Sequence, residues 1–323
     1  MNHHNDLPIA VLGATGAQGG GLVRAMLADR ARRCNPRALT RQPASGAAQA
    51  LNAAGAEVVQ ADLDDVDSLV QAFTGMHGVF AVTNFWEHHS PDAEVRQARN
   101  VAIAAQRAGV AHVVWSTLED TRDVMPLDDP RMPTLMGRFK VPHMDAKGEA
   151  NALFRRLGVP ATFLYTSFYW DNLIHFGMAP QRDDEGRLVF TLPLGDARLP
   201  GIAAADIGAC ALALFKQGKA AIGRDVGIAG EHLAGIEMAD ALGRTLGEPV
   251  RYHAIGFAAY AQLGFPGAAD LANMFQYKHD FSERYRASRP VPETRALHPG
   301  LMGFDAWLDG HRVQLKSLVD APR

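Results

Sequence analysis

Three glycines near the start of the chain, Gly13, Gly16 and Gly19, have the type and spacing that chemistry on a phosphate needs. They follow the apolar run 9–12 and precede apolar residues at helical spacing, so a strand, a tight turn and a helix are expected. The backbone N–H groups of such a turn, with the positive end of the helix, can hold a pyrophosphate. The spacing is GxxGxxG, and an ordinary surface turn is the alternative. The sequence predicts a dinucleotide site with contacts from Gly13, Thr15, Gly16, Ala17, Gln18 and Gly19.

The end of the second predicted strand, Thr40-Arg41, indicates which dinucleotide the turn would hold. Sites for NAD usually place a carboxylate about 20 residues beyond the turn to hold the ribose 2′-hydroxyl. Here an arginine stands at that place, and a guanidinium can bind a 2′-phosphate through two charge-assisted hydrogen bonds. The sequence therefore predicts NADP(H), with a solvated loop charge as the alternative for Arg41. Asp62, just past the third predicted strand, is expected either to contact the adenine or to cap the following helix.

Strands and helices must alternate to position these residues, and the sequence has that pattern. We predict helices around 22–27 and at 47–54, 66–73 and 94–108, and a further helix that follows Lys147 and ends at about Leu157. Strands are predicted at 9–12, 37–40, 57–60, 78–83, 112–116 and 162–165. Strands separated by helices predict an α/β fold with a doubly wound, parallel Rossmann sheet.

The pattern changes after residue 166. Four residues, Pro193, Gly195, Pro200 and Gly201, are expected to break any regular element there. A helix at 206–215 and a short strand at 226–228 are then expected to rejoin the first sheet. We predict a cofactor domain over 1–166, rejoined by about 201–230, and a smaller C-terminal α/β lobe formed by 167–200 and 231–323.

Composition and charge exclude several classes of partner. The 323 residues are 47% apolar and 21% charged, with a formal net charge of −3, which provides no basic surface for nucleic acid. Two cysteines, Cys34 and Cys210, have neither CxxC spacing nor a disulfide pattern, so both are expected to be structural. No signal peptide is recognisable and no apolar run reaches the ~20 residues of a membrane span. We expect a cytoplasmic monomer or homodimer.

Five segments carry a resemblance to a known family, in the same order along nearly the whole chain. They are Gly13-Ala-Thr-Gly-Ala-Gln-Gly19, Thr40-Arg41, Thr83-Asn84-Phe85-Trp86-Glu87, Asp145-Ala-Lys147-Gly-Glu149, and Gly264-Phe-Pro-Gly267 with Leu271-Ala-Asn-Met-Phe275. With these segments the chain resembles the NmrA-like branch of the atypical short-chain dehydrogenases/reductases, including its NADPH-sensing members. The resemblance implies a Rossmann domain, a smaller lobe and a cleft between them. It also implies cofactor contacts from Arg41, Asp62, Leu63, Thr83, Asn84, Lys147 and the segment 167–172, with Phe168.

Lys147 and His143 are the candidate catalytic residues that follow from this resemblance. Short-chain dehydrogenases use a Tyr-x-x-x-Lys pair on one helix face, in which the lysine lowers the pKa of the tyrosine and holds the nicotinamide ribose. This sequence keeps the lysine and has His143 at the tyrosine position. The usual proton donor is therefore absent, although a histidine is a competent acid near neutral pH.

Three functions are compatible with this pattern. In the first, Lys147 only binds the cofactor, and a regulatory protein partner recognises the NADPH-bound or NADP-bound form of a redox sensor. In the second, the chain is an NADPH-dependent reductase of a small quinone, dye or carbonyl compound, with His143 or water as the proton source. The third is an interaction protein with a vestigial turn, which the intact glycine pattern disfavours. We predict the sensor, with the reductase as the alternative.

Other polar groups are weaker candidates. His3-His4 and His88-His89 lack partners at ligand spacing, so neither predicts a metal site, although the second pair lies near the expected cleft. Ser116 ends the fifth predicted strand and is a candidate for orienting a carbonyl group. The acidic run of Asp62, Asp64, Asp65 and Asp67 indicates a solvated helix start rather than a cation loop.

Overall fold

The computed structural model describes residues 7–30 and 34–320, so the His3-His4 pair lies outside the described residues. The strands are β1 (Leu7–Val11), β2 (Cys34–Thr40), β3 (Glu57–Gln60), β4 (Gly78–Ala81), β5 (His112–Thr117), β6 (Ala161–Tyr165), β7 (Phe168–Tyr169), β8 (Gln181–Arg182), β9 (Leu188–Thr191), β10 (Arg198–Ile202), β11 (Asp225–Gly227), β12 (Glu231–Ala234) and β13 (Val250–His253). The helices are α1 (Ala17–Ala28), α2 (Gly46–Ala53), α3 (Val66–Phe73), α4 (Phe85–His88), α5 (Pro91–Arg107), α6 (Pro142–Arg156), α7 (Asn172–His175), α8 (Ala204–Gln217), α9 (Gly235–Leu246), α10 (Phe257–Ala261), α11 (Ala268–Asp280), α12 (Ser282–Ala287), α13 (Val291–Leu297) and α14 (Phe304–Asp320).

The chain divides into two compact units. The first contains the described residues up to Asp120, together with Pro142–Thr166 and Ala204–Val226. The second contains Thr121–Val141, Ser167–Ala203 and the residues from Gly227 onward. The predicted cofactor domain differs from the first unit mainly at 121–141, a segment with one 3₁₀ turn and no strand that the structure groups with the second unit.

A seven-stranded sheet forms the centre of the first unit, in the order β11-β6-β5-β4-β1-β2-β3. The ladders that join β1 to β6 are all parallel, and the order 3-2-1-4-5-6 within them is that of a Rossmann sheet, which confirms the predicted fold class. Every residue of β5 is buried, as expected of an interior parallel strand that helices cover on both faces. The carboxyl ends of these parallel strands meet at one edge, where the predicted site residues of this unit lie.

The helices α1 and α8 cross at very close range in the first unit. A Cβ atom built at Gly21 would lie 3.2 Å from the Cα of Ala205, and one built at Gly208 would lie 2.8 Å from the Cα of Leu22. Glycine is therefore required at the crossing, because a side chain on either helix would push the backbones apart. This contact packs the segment that begins at Ala204 against α1 within the first unit.

Several element boundaries in the first unit differ from the prediction, and two of them lie beside candidate site residues. The helix predicted to follow Lys147 begins at Pro142, so the predicted start was wrong. A proline fits the first turn of a helix because its nitrogen needs no hydrogen-bond partner there. The strand predicted to run to Thr83 ends at Ala81, which leaves Thr83 and Asn84 in the loop that leads into α4.

The second unit contains two three-stranded sheets, β12-β10-β7 and β13-β9-β8, with α7 and α9 to α14. The prediction that Pro200 and Gly201 break regular structure was wrong, because both lie in β10. Pro200 pairs with His232 of β12, and the ladder to β7 begins one residue later, at Gly201. The strand therefore tolerates a proline where one neighbour is still missing.

Three features are absent from the described residues: a helix that could span a membrane, a cluster of metal ligands and a disulfide. No helix there combines the length and the apolarity that crossing a bilayer requires; the longest, α5 and α14, have 17 residues each. No group of three or more His, Cys, Asp or Glu side chains in this part of the chain is arranged to hold a metal ion. Neither Cys34 nor Cys210, both buried, forms a disulfide.

Candidate functional site

The glycine-rich turn between β1 and α1 has the backbone geometry of a phosphate-binding turn. Gly13 has a φ of +61°, a conformation that other residues rarely adopt, and its carbonyl oxygen accepts from the Gly16 N–H at 2.9 Å. A Cβ atom built at Gly19 would lie 2.7 Å from the Leu12 carbonyl oxygen, so only glycine lets α1 start this close to the end of β1. Gly13 therefore permits the tight turn and Gly19 the close packing of α1, while the predicted approach of Gly16 to a pyrophosphate stays a prediction.

The N-terminus of α1 has no capping group from its own cap residue. Gly16, at the N-cap, has no side chain to accept a hydrogen bond, and the first turn of the helix contains no acidic residue. Thr15, Gly16 and Ala17 are all exposed. A helix N-terminus whose cap residue supplies no side-chain acceptor, at the positive end of a helix dipole, favours the binding of an anion.

Gln18 connects this turn to the end of β5. Its side-chain oxygen accepts a hydrogen bond from the hydroxyl of Ser116 at 2.7 Å, and Ser116 is almost fully buried. The Ser116 hydroxyl is thereby engaged within the first unit. Its predicted role in orienting a carbonyl group stays a prediction.

Arg41 follows β2 and is exposed, as predicted, and its guanidinium forms an ion pair with the carboxylate of Glu87 on α4. Asp62 lies in the loop after β3, where its carboxylate accepts from the Asp64 N–H at 3.0 Å. The N-cap of α3 is Asp65, which accepts from the N–H groups of the first turn, so the alternative that Asp62 caps this helix was wrong. The sequence placed the cap too early because an aspartate after a strand is also compatible with an Asx turn.

Leu63 lies in the same loop and packs against the apolar core of the first unit. Its carbonyl oxygen accepts from the side chain of Asn100 on α5 at 2.8 Å. The neighbouring carboxylates pair with arginines, Asp64 with Arg96 and Asp67 with Arg107. This arrangement agrees with the predicted solvated start of a helix.

The ammonium of Lys147 is held by three oxygen atoms. Its Nζ lies 2.7 Å from a carboxylate oxygen of Glu94, and donates to the hydroxyl of Thr83 at 2.8 Å and to its carbonyl at 3.3 Å. The Thr83 hydroxyl in turn donates to Glu94 at 2.5 Å. The ammonium also lies 5.1 Å from the centroid of the Trp115 ring, close enough for a cation–π contact. An ammonium has three N–H donors, and here all three have acceptors.

Glu94 is fully buried on α5 and remains ionised. Burial raises the pKa of this carboxyl, but the Lys147 ammonium, with contacts from His88 and Thr83, outweighs burial and lowers the pKa to about 2. His88 Nε2 lies 3.4 Å from the second carboxylate oxygen, an ion-pair distance rather than a short hydrogen bond. His88 Nδ1 accepts from the Ser90 N–H at 3.1 Å, which leaves the proton of a neutral ring on Nε2, facing Glu94.

His143 lies one helical turn before Lys147 on α6 and is buried. Its ring centroid is 5.0 Å from that of Trp86 and 6.0 Å from that of Phe85, both on α4. Asn84 is the N-cap residue of α4 and is exposed. The structure thus brings His143, Lys147 and the loop after β4 together.

The predicted site segment 167–172, which contains Phe168, lies in the second unit. Phe168 lies in β7, is buried, and its ring is 6.3 Å from that of Phe275. Its predicted contact with the cofactor stays a prediction.

Comparison with known proteins identifies the family. The model of the NmrA-like family matches residues 5–308. The chain belongs to the NmrA-like family. The NAD(P)H azoreductase of Xenophilus azovorans is 32% identical, and the match covers 82% of this chain and 85% of the relative. The NmrA-like oxidoreductase FrzB of Cladobotryum sp. is 28% identical over 87% of each chain.

The fold of this NmrA-like protein is also that of solved members. A crystal structure of NmrA, a negative transcriptional regulator in complex with NAD, superposes with a TM-score of 0.77 at 23% identity, covering 94% of this chain and 95% of that one. Another NmrA crystal structure contains NADP. The resemblance drawn from the sequence segments is therefore confirmed for family and fold.

Two residues of this NmrA-like site were missed by the sequence reasoning, Glu94 and Glu87. Glu94 carried a signal, because it lies four residues before Ala98 and seven before Val101, on the buried face of α5. A carboxylate on an apolar helix face indicates a buried partner. Glu87 belongs to one of the segments that carry the family resemblance, but nothing near it indicates its partner, because Arg41 is far away in the sequence.

Proposed function

We propose that this chain binds NADP(H) at the glycine-rich turn and works as a redox sensor that responds to NADPH and NADP. The observation that carries the proposal is the uncapped, glycine-rich N-terminus of α1 with Arg41 at the end of the neighbouring strand β2. The turn suits a pyrophosphate, and Arg41 suits a 2′-phosphate because it is exposed and follows the strand that usually selects the ribose. Proposed contacts in the first unit are Gly13, Thr15, Gly16, Ala17, Gln18, Gly19, Arg41, Asp62, Leu63, Thr83, Asn84 and Lys147.

The state of Lys147 and His143 favours a sensor over an enzyme of the tyrosine-lysine type. A catalytic lysine of that type acts on a neighbouring phenol, and no tyrosine occupies the preceding turn of α6. Here the ammonium is already neutralised by Glu94, and His143 is buried against aromatic rings. A network of this kind holds the end of β4, α5 and α6 together and would register a change at the nicotinamide end of the site. A regulatory protein partner would then distinguish the two cofactor forms.

An NADPH-dependent reductase is the second candidate, and family membership with named oxidoreductases favours it. The azoreductase relative is 32% identical over most of both chains. Bound NADPH would supply a hydride, and the protein would only have to orient a small quinone, dye or carbonyl compound and exclude water. His143 or water would deliver the proton in this case.

One experiment separates these functions. Purified protein is titrated with NADPH and NADH by calorimetry, and NADPH oxidation is then followed at 340 nm with azo dyes, quinones and triphenylmethane dyes. NADPH binding that is much tighter than NADH binding, without turnover, supports the sensor, whereas oxidation with any acceptor supports the reductase. Failure of the wild-type protein to bind any dinucleotide overturns both.

Arg41→Gln tests the proposed 2′-phosphate contact. A charge-assisted hydrogen bond contributes about 1.5–3 kcal/mol, so NADPH affinity should fall about ten- to a hundredfold while NADH affinity stays the same. Light scattering with and without NADPH would show whether the proposed monomer or homodimer changes its assembly. We further propose a cytoplasmic location, since neither cysteine forms a disulfide.

A further inference from the structure

The guanidinium of Arg41, which we propose as the group that binds the 2′-phosphate, forms an ion pair with Glu87. Arg41 follows β2 and Glu87 lies on α4, which follows β4, so the two side chains come from opposite sides of the glycine-rich turn because β2 and β4 flank β1 in the sheet. Both are accessible, with 61% of the Arg41 side chain and 45% of the Glu87 side chain exposed. The pair therefore lies where a ligand can displace the carboxylate.

We propose that Glu87 determines cofactor specificity by competing with the 2′-phosphate of NADP(H) for Arg41. This inference rests on the proposed NADP(H) site. A 2′-phosphate carries about −1.5 to −2 charges near neutral pH, against −1 for the carboxylate, so it is the stronger partner of the guanidinium. A 2′-hydroxyl has no charge with which to displace Glu87. Binding of NADP(H) exchanges the partner of Arg41, whereas binding of NAD(H) leaves the ion pair in place.

This exchange acts on α4, the four-residue helix that carries Glu87. The other contacts of α4 lead toward the lysine network: His88 faces Glu94 at 3.4 Å, and the Trp86 ring lies 5.0 Å from that of His143. The buried ring of Phe85 anchors the helix to the core of the first unit. Loss of the Arg41 contact frees the exposed side chain of Glu87, whereas the contacts of Phe85, Trp86 and His88 with the rest of the first unit remain. Occupancy of the 2′-phosphate position would therefore change the partner of Arg41 and leave the contacts of Trp86 and His88 in place.

The test compares two adenosine ligands that differ at the 2′ position. Wild-type protein and Glu87→Gln are titrated by calorimetry with 2′,5′-ADP and with 5′-AMP. An exposed ion pair is weak, and the variant also loses the repulsion between carboxylate and phosphate, so its affinity for 2′,5′-ADP should rise about two- to tenfold. Its affinity for 5′-AMP should stay within about twofold. Asp225→Asn is the matched control. Asp225 lies on β11, is exposed like Glu87 and forms an ion pair with Arg155, so its neutralisation should change neither affinity.

A second variant tests the exchange itself. In an Arg41→Gln background, Glu87→Gln should lose most of its effect on 2′,5′-ADP affinity. An undiminished gain there would mean that Glu87 acts only through its long-range field, and would overturn the exchange. Equal or weaker 2′,5′-ADP binding by Glu87→Gln, with a wild-type protein that prefers 2′,5′-ADP to 5′-AMP, overturns the competition and leaves the proposed function standing. A wild-type protein that binds neither ligand overturns both.

Discussion

Replacement of Glu94 by glutamine should destabilise the first unit, and the size of the loss follows from the contacts of the carboxylate. Glu94 is fully buried. Among the described residues, it is the carboxylate that forms an ion pair with Lys147, at 2.7 Å. The amide keeps the shape of the side chain and one acceptor, but it leaves the ammonium with no compensating charge. Breaking a buried pair in this way typically costs about 3–5 kcal/mol.

The pKa of Glu94 gives a second estimate of the same quantity. A shift from the ordinary value of 4.5 down to about 2 corresponds to about 3 kcal/mol at neutral pH, in agreement with the first estimate. Because the pKa is lowered in the folded state, this stability is present above pH 4.5 and is lost as the pH falls toward 2. The difference between wild type and Glu94→Gln should therefore be constant from pH 7 to pH 5 and fall below half by roughly pH 3.

The assay is urea unfolding followed by tryptophan fluorescence, with Trp115, which lies under Lys147, as the probe of the first unit. Comparison with the variant at each pH removes the contribution of His112, which titrates in both proteins because burial lowers its pKa to about 4. Asp225→Asn breaks an exposed pair with Arg155 and should cost less than about 1 kcal/mol. A Glu94→Gln protein within about 0.5 kcal/mol of wild type, or a difference that does not change with pH, would refute the reasoning.

Three further predictions concern packing and reactivity. Gly19→Ala should lower NADPH affinity by more than about tenfold in calorimetry, because the new methyl group would lie 2.7 Å from the Leu12 carbonyl oxygen and displace the start of α1; unchanged affinity would contradict the assigned role of the turn. Gly208→Ala should lower the free energy of unfolding in urea by about 1–3 kcal/mol, because its methyl group would overlap the backbone of Leu22, and a neutral result would mean that α1 and α8 separate without cost. Cys210 should not react with a thiol reagent at pH 8 until urea is added, because burial raises the pKa of its thiol to about 12; rapid labelling of the native protein, read by mass spectrometry, would disprove this.

The sequence predicted the Rossmann sheet because its signals are local. Strands β1, β4 and β6 are short, largely apolar runs, and the glycine spacing between β1 and α1 follows from backbone sterics at Gly13 and Gly19. The same local rules failed at Pro200. The pairing of β10 with β7 begins one residue later, at Gly201, so a proline is acceptable at this place in the strand. They also failed at Asp62, since an aspartate after a strand can form either a turn or a helix cap.

The contacts of the candidate site were harder to predict because they join segments that are distant in the sequence. Lys147 was expected to bind the cofactor, but nothing near it in the sequence indicates a carboxylate on α5 as its partner. Arg41 was correctly placed after β2, yet its pairing with Glu87 depends on the order of three strands. Charge pairs of this kind follow from topology, and the topology is known only once the sheet is assembled.

The short helix α4 lies between the two ends of the proposed dinucleotide site. Glu87 connects it to Arg41, where the 2′-phosphate would bind, and His88 connects it to Glu94 and thereby to Lys147, where the nicotinamide ribose would bind. A sensor requires a segment whose position depends on what is bound, and a reductase requires a segment that orders when the cofactor enters. The same four residues satisfy both requirements, because the adjacent Glu87 and His88 contact Arg41 and Glu94, next to the two places where the cofactor would bind. The sensor and the reductase thus share one structural basis within the first unit, and a regulator could arise from an enzyme of this family without a change in the cofactor site.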